Sequence, residues 1–228
     1  MNMRFLPAAW NGGRAFSLLA VLCCFVLTAC ATGGAGKKAA TDEIPDLGKT
    51  RRLAYGISIQ APDDWQTIRS LEPGAASKAD LEARIKTSQA VPILILAHPS
   101  GQTIDARLTL LLTDSSKNFP PEQEVATRSA EELDERAKTF MRQRNAAAVK
   151  QNKQPDTLES RMTRESVDGR LALFHRGIGS GPDGQVHFQV WNIYLPNGVG
   201  LAVDAMGSAD RPGMEKTLES LVRTLKIE

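Results

Sequence analysis

Cysteine is almost absent from this chain of 228 residues, and the few cysteines are confined to its N-terminus. The three present are Cys23, Cys24 and Cys30. The chain beyond Cys30 therefore holds no intramolecular disulfide, no Cys–His zinc site and no thiol nucleophile. These three kinds of chemistry are excluded before any fold is considered.

Aromatic residues and net charge are also scarce. Phe, Trp and Tyr make up 5% of the chain, and the formal net charge is +2, which Arg4 and Arg14 account for. The remainder is close to neutral and lacks the basic footprint of a nucleic-acid-binding protein, so we expect no nucleic-acid partner. Because so few aromatic rings are available for packing, we expect Trp65 to be buried, and Trp191 to lie on a partly exposed face.

The N-terminal segment has the layout of a secretory signal. Residues 1–14 carry two arginines and no acid, and residues 15–27 (AFSLLAVLCCFVL) are almost entirely apolar. An apolar run of this length suits a signal peptide and is too short to span a bilayer. It ends in Leu27-Thr28-Ala29-Cys30, which resembles the lipobox of bacterial lipoproteins. In that family the chain is cut before the cysteine, which then carries the lipid. An ordinary signal followed by an incidental cysteine is the alternative.

The lipobox divides the chain into three parts. Residues 1–29 form a cleaved lipoprotein signal peptide, residues 30–48 a flexible tether of mostly small residues, and residues 49–228 a single domain. Lipid on Cys30 would anchor the protein to the membrane, because each buried methylene contributes about 0.8 kcal/mol. Ala31, in place of an Asp after the cysteine, favours the periplasmic face of the outer membrane over the inner membrane, by resemblance to enterobacterial lipoproteins.

Hydrophobic periodicity predicts an antiparallel sheet with helices packed against it, an α+β fold. Structure is expected to begin near Tyr55, and Asp168-Gly169 and Asn197-Gly198 are typical hairpin turns. Predicted strands cover residues 55–59, 91–97, 106–113, 157–167, 170–178, 185–195 and 199–206, and predicted helices cover residues 78–86, 121–150 and 211–225. The 121–150 helix is expected to bury one stripe, made of Ala126, Ala130, Leu133, Ala137, Phe140 and Met141.

The opening of the domain carries a family resemblance. Three parts of the domain resemble the PsbP-like family, and in particular its DcrB-type bacterial lipoproteins. They are the stretch Tyr55-Gly-Ile-Ser-Ile-Gln-Ala-Pro-Asp-Asp-Trp65, the strands between Leu171 and Met206, and the closing Leu225-Lys226-Ile227. The resemblance implies an α/β/α sandwich and a non-enzymatic binding or assembly role. It supplies no catalytic residues.

The sequence offers no convincing dinucleotide-binding motif and no serine-nucleophile motif. Residues 179–184 (GSGPDG) match G-x-G-x-x-G, but they lie between two predicted strands, whereas a dinucleotide site needs a helix after the glycines. A hairpin loop is the better interpretation. No serine stands in a G-x-S-x-G nucleophile elbow, and Ser180 with Asp183 in the loop lacks a placed base.

The histidines are the remaining candidates for chemistry. His175 and His187 fall on neighbouring predicted strands, and the strand register decides whether they share a face. No third ligand is evident, so we expect ordinary strand histidines and neither a metal nor another cofactor. His98, directly before Pro99, is expected in a loop.

These observations leave three hypotheses for the function. The first is a lipid-anchored envelope protein without catalytic activity that binds another protein on the periplasmic side. The second is a carrier or sensor of a small apolar ligand, and the third is a hydrolase. An apolar cavity of several hundred Å3 would favour the carrier hypothesis. An exposed apolar patch would favour the protein-binding hypothesis. A buried cluster around His175 and His187 with perturbed pKa values would favour the enzyme hypothesis.

Overall fold

The computed structural model describes residues 48–87, 90–101, 103–150, 157–181 and 184–228. The predicted signal peptide, Cys30 and all but the last residue of the predicted tether lie outside the described residues. The described strands are β1 Lys49–Arg52, β2 Ile57–Ala61, β3 Gln66–Ser70, β4 Val91–Ser100, β5 Thr103–Asp114, β6 Thr157–Val167, β7 Arg170–Gly181, β8 Gly184–Tyr194, β9 Val199–Ser208 and β10 Lys226–Ile227. The described helices are α1 Lys78–Lys86, α2 Ser115–Asn118, α3 Glu122–Thr127, α4 Ala130–Lys150 and α5 Met214–Arg223.

Two antiparallel sheets form the framework. The larger has seven strands in the order β3-β4-β5-β9-β8-β7-β6, and the smaller has three in the order β1-β2-β10. Helices flank the larger sheet, so the predicted α+β class with an antiparallel sheet is confirmed. The first strand, β1, precedes the predicted start of structure at Tyr55, which itself lies in a short 3₁₀ turn with a φ of 67°.

The two-residue turn predicted at Asp168-Gly169 is confirmed, whereas the connection at Asn197-Gly198 is one residue longer and includes Pro196, because Tyr194 pairs with Gly200. Asp168 and Gly169 have φ values of 49° and 75°, and Asn197 and Gly198 have values of 62° and 71°. Two successive positive φ values are what a primed hairpin turn requires. The first turn pairs Val167 with Arg170, and the pairings between β6 and β7 follow from it as far as Glu159 and Ile178, where a β-bulge shifts the register.

The main hydrophobic core lies between one face of the larger sheet and helices α1 and α5. The apolar stripe of α5 is buried as predicted, with Leu218 and Leu221 fully inaccessible. Trp65 is 3% exposed, which confirms its predicted burial. The prediction for Trp191 is wrong: it is 1% exposed, because α5 covers its face, where the amide of Gln189 donates to the carbonyl of Glu215 at 3.0 Å.

A second core lies on the opposite face of the larger sheet, beneath α3 and α4. Helix α4 packs over β6, at one edge of the sheet. The members of this second core are Phe119, Val125, Leu133, Ala137, Met162, Leu173 and Tyr194. In the ranges that the structure describes, no helix is long and apolar enough to cross a membrane.

The helix predicted over residues 121–150 is broken into α3 and α4. Arg128 is extended, with φ −63° and ψ 144°, and Ser129 starts a new helix in a capping box with Glu132. The predicted stripe is correspondingly wrong at its start, because Ala126 and Ala130 are exposed. It is right for Leu133 and Ala137, which are buried, whereas Phe140 and Met141 are half-buried.

Candidate functional site

The strand register aligns side chains in continuous rows across the face of the larger sheet that bears α4. Directly opposed residues on one face of a sheet lie close enough to interact. One row crosses six strands through Ile95, Thr109, Asp204, Val190, His175 and Met162. The next row along the strands runs through Ala97, Arg107, Met206, Phe188, Gly177 and Ser160.

The middle of this face is apolar and partly exposed. Helix α4 lies over the edge strand β6, and α2 contacts β5 and β9 at one end. Between them, β4, β5, β9 and β8 present half-buried apolar side chains, which we name the central patch: Ile95, Leu111, Phe188, Val190 and Met206. Apolar surface contributed by four neighbouring strands is a candidate site for binding.

A carboxyl group and a hydroxyl group lie within the central patch. Burial raises the pKa of Asp204 to about 6, against the opposing effect of Arg107. Thr109, directly opposite on β5, is 3% exposed, and its Oγ1 has no hydrogen-bond partner within the described part of the chain. Few, well-placed polar groups in an apolar surface fix the orientation of whatever binds there.

His175 lies at the edge of the patch, under α4. It is 6% exposed, with the rings of Phe140 and Phe188 edge-on at centroid distances of 4.9 Å and 5.1 Å. Ser160 Oγ lies 2.7 Å from its Nε2. Burial, together with a smaller effect from the charge of Arg144, lowers the pKa of His175 from 6.5 to about 4, so the imidazole is neutral at pH 7.

His187 does not join His175. The register pairs Ile178 with His187 and His175 with Val190, so the two histidines are on opposite faces of the sheet. This answers the question that the sequence left open. The two histidines therefore do not form a cluster, although His175 alone is buried and has a lowered pKa.

His98 is not a loop residue, and that prediction is wrong. It lies in β4 opposite Ala106 and is 8% exposed. Asp105 Oδ1 is 2.6 Å from its Nδ1, and Asp64 Oδ2 is 3.2 Å from its Nε2. Arg211, in the segment before α5, forms an ion pair with Asp105. Since both ring nitrogens contact carboxylates, this cluster joins four chain segments and leaves no nitrogen for general base catalysis.

The glycine-rich segment is a hairpin between β7 and β8, with Gly181 paired to Gly184, as predicted. Ser180 is exposed there, and Asp183 lies outside the described residues. Within the described ranges, no group of three or more His, Cys, Asp or Glu side chains is arranged to hold a metal ion.

A small polar cleft opens on the other side of the sheet, between α1 and the turn at Asn197. Its volume is about 190 Å3, below the range of about 300–1,000 Å3 that is usual for ligand sites. Glu82 in this cleft accepts hydrogen bonds from the hydroxyl of Tyr55 at 2.9 Å and from Asn197 at 3.5 Å. We interpret this cleft as a structural junction.

Comparisons with known proteins place the fold alongside several bacterial structures. No family model matches the chain, and no curated protein matches it. The chain is similar to cyanobacterial PsbP (CyanoP) from Synechocystis, with 12% identity, a TM-score of 0.45, and coverage of 87% of this chain and 98% of that one. It is also similar to LpqN, involved in cell envelope biogenesis of Mycobacterium tuberculosis, with 12% identity, a TM-score of 0.41, and coverage of 75% and 83%.

A protein from Bacteroides thetaiotaomicron is a third similar structure, with 8% identity and a TM-score of 0.38. The match covers 78% of this chain and 48% of the other, so the chain spans about half the length of that protein. At identities of 8–12% and TM-scores of 0.38–0.45, these similarities carry no residue roles to this chain.

Sequence reasoning missed Ser160 as a partner of His175, although the signal was present. The Asp168-Gly169 turn places His175 opposite Met162, and Ser160 is then its diagonal neighbour. The roles of Asp105 and Arg211 had no such local signal.

Proposed function

We propose that this chain is a lipid-anchored protein of the cell envelope, of the DcrB type, that binds another protein without catalysing a reaction. The lipid is attached to Cys30, and the domain is held at the periplasmic face of the outer membrane. The observation that supports binding is the central patch, with apolar side chains from four adjacent strands left partly exposed.

The dimensions of the patch favour a protein over a small ligand. Four neighbouring strands span roughly 14 Å, since adjacent strands lie about 4.8 Å apart. A ligand site usually encloses 70–90% of its ligand, whereas a sheet face is open along one side. A protein surface can cover such a face with its own apolar side chains, and Phe188 and Met206 are of types enriched in protein interfaces.

Charge within the patch supports a specific partner. Asp204 and Arg107 are brought near the centre of the apolar surface, and Thr109 adds a buried hydroxyl. A partner that covers the carboxyl group of Asp204 without giving it a hydrogen bond would lose about 1–3 kcal/mol. The patch therefore selects a partner with matching polar groups at its own centre.

The tether sets the distance at which a partner is met. The 18 residues or so between Cys30 and Gly48 would have a root-mean-square reach of about 25 Å, as a flexible chain rich in small residues. A domain held by such a tether samples only the region next to its membrane. The partner is therefore expected to be a protein of the same envelope.

The test combines cross-linking in intact cells with affinity capture of the full-length protein and a paired set of variants. Val190→Lys with Met206→Lys places two charges in the central patch, and Ile68→Lys is the matched control, because Ile68 is 56% exposed on β3, outside the patch. We expect one envelope protein to be captured by wild type and by the control, and at least tenfold less by the double variant. Equal capture by all three proteins would contradict the proposal. An apolar small molecule that co-purifies and is lost with the double variant would support the carrier instead.

A further inference from the structure

The pair of Ser160 and His175 has a geometry that the proposed binding function does not require. Ser160 Oγ and His175 Nε2 are 2.7 Å apart, within hydrogen-bond range. Ser160 is half-buried on the edge strand β6, whereas the imidazole is enclosed by Phe140 and Phe188. A hydroxyl within hydrogen-bond range of a neutral imidazole is the nucleophile–base pair from which activated serine nucleophiles are built.

We propose that Ser160 is a self-acylation site, which takes a short apolar acyl group from an activated ester or thioester with His175 as the proton acceptor. Oγ attacks the carbonyl carbon, a carbon–oxygen bond forms, and the bond to the leaving phenol or thiol breaks. The hydroxyl proton passes to Nε2 and then to the leaving group. The products are an O-acyl Ser160 and the free phenol or thiol, so atoms and electrons balance without a further reactant.

The surroundings of the pair define which acyl donors react. Enclosure by two phenyl rings keeps the imidazole neutral, and the tautomer with its proton on Nδ1 presents the Nε2 lone pair to the hydroxyl. The same enclosure makes His175 a weak base, so that donors with good leaving groups react and ordinary alkyl esters do not. The reaction is a single transfer, which is consistent with a binding protein that has no turnover.

Glycine at position 177 shapes the acyl side of the site. Gly177 is directly opposite Ser160, and a Cβ there would lie 2.0 Å from the carbonyl oxygen of Glu159 and 2.7 Å from Phe188 Cζ. The missing side chain lets the Phe188 ring lie close to the strand next to Ser160. The wall near the nucleophile is therefore aromatic, which favours an apolar acyl group over a charged one.

The test uses the full-length protein in detergent with p-nitrophenyl acetate as the probe. Intact mass and peptide mapping follow the acetyl group, in wild type, Ser160→Ala and His175→Gln. Ser166, an exposed serine on the same face of β6, is the internal control for ordinary serine reactivity. We expect Ser160 to be acetylated at least about 100 times faster than Ser166 in wild type. In His175→Gln, the rate of Ser160 acetylation should be at least about tenfold lower than in wild type.

A pH profile separates this role from a structural one and does not depend on the variants folding. Because His175 stays neutral, the wild-type rate should be flat from about pH 5 to pH 8 and fall towards pH 4. Labelling of Ser160 no faster than of Ser166, or a rate that His175→Gln leaves unchanged in a folded protein, would overturn the proposal. A midpoint near pH 6.5 would also overturn it, since the imidazole would then be hydrated.

Discussion

The neutral, buried state of His175 makes a quantitative prediction about pH and stability. Replacing it by Gln removes the titrating group and keeps a polar side chain of similar length next to Ser160. The folded protein holds the pKa of His175 at about 4, against 6.5 for an ordinary histidine, because burial disfavours the charged ring. In the unfolded chain the ring takes up a proton as the pH falls through 6.5, whereas the folded protein resists until about pH 4.

The size of the effect follows from these two values. His175 contributes its full share of stability above about pH 6.5 and progressively less as the pH falls towards 4. Between about pH 7.5 and about pH 5 the expected loss is roughly 2 kcal/mol, and the limiting loss well below pH 4 is roughly 3 kcal/mol. A loss of 2 kcal/mol is a large fraction of the free energy of unfolding of a typical domain.

Other groups also titrate in this range, so the measurement is a difference between two proteins. The raised pKa of Asp204 acts in the opposite direction, because the folded protein binds a proton near pH 6 before the unfolded chain does. Urea unfolding of wild type and His175→Gln at both pH values cancels Asp204 and all other shared groups. We expect wild type to lose about 2 kcal/mol more than the variant on acidification. Equal losses would refute the assignment of His175 as a neutral buried group.

The remaining predictions concern packing and the anchor. Trp65→Ala should lower the free energy of unfolding by about 3–5 kcal/mol, measured by urea titration, because the buried ring packs edge-on against His98 at 5.6 Å; a nearly unchanged melting temperature would contradict this. Gly177→Ala should lower the free energy of unfolding by about 3 kcal/mol, because its Cβ would overlap the Glu159 carbonyl; wild-type stability would show that the β-bulge of β6 next to Glu159 adjusts. Cys30→Ser should abolish labelling of the protein with a radioactive fatty acid and prevent normal cleavage of the signal peptide. Retained labelling would refute the assignment of Cys30 as the lipid attachment site.

Much of the second half of the fold could be predicted from local sequence signals, namely turn residues and the alternation of apolar and polar residues. Strand β6 has the bounds predicted from sequence, and β7, β8 and β9 differ from prediction by a few residues at their ends. Asp168-Gly169 allows the positive φ values of a tight turn, and a tight turn fixes the register of both strands. Alternation of apolar and polar residues then assigns each side chain to a face.

The break between α3 and α4 was predictable from a signal that was overlooked. Ser129 and Glu132 stand three residues apart, and they satisfy each other's backbone amides at 3.2 Å and 2.8 Å. A capping box inside a long helical pattern indicates a new helix start. The apolar periodicity continued across this position, which made one helix look adequate.

The clusters formed by distant residues were beyond local reasoning. Asp105 is close to His98 in the chain. Asp64 and Arg211 are distant in sequence, and the tertiary fold brings Asp64 to His98 and Arg211 to Asp105. The burial of Trp191 has the same origin, because its face is covered by a helix from the end of the chain. Such contacts depend on tertiary packing, which overrides the pattern within a single strand.

We propose above all that the central patch around Met206 binds an envelope protein while Cys30 holds the domain at the membrane. Site-specific photo-cross-linking in intact cells tests it most directly, with the cross-linking residue placed at Met206 in one strain and at Ile68 in another. We expect one dominant adduct from position 206, in the membrane fraction, and none from position 68. The same adducts from both positions, or an adduct from position 68 alone, would contradict it.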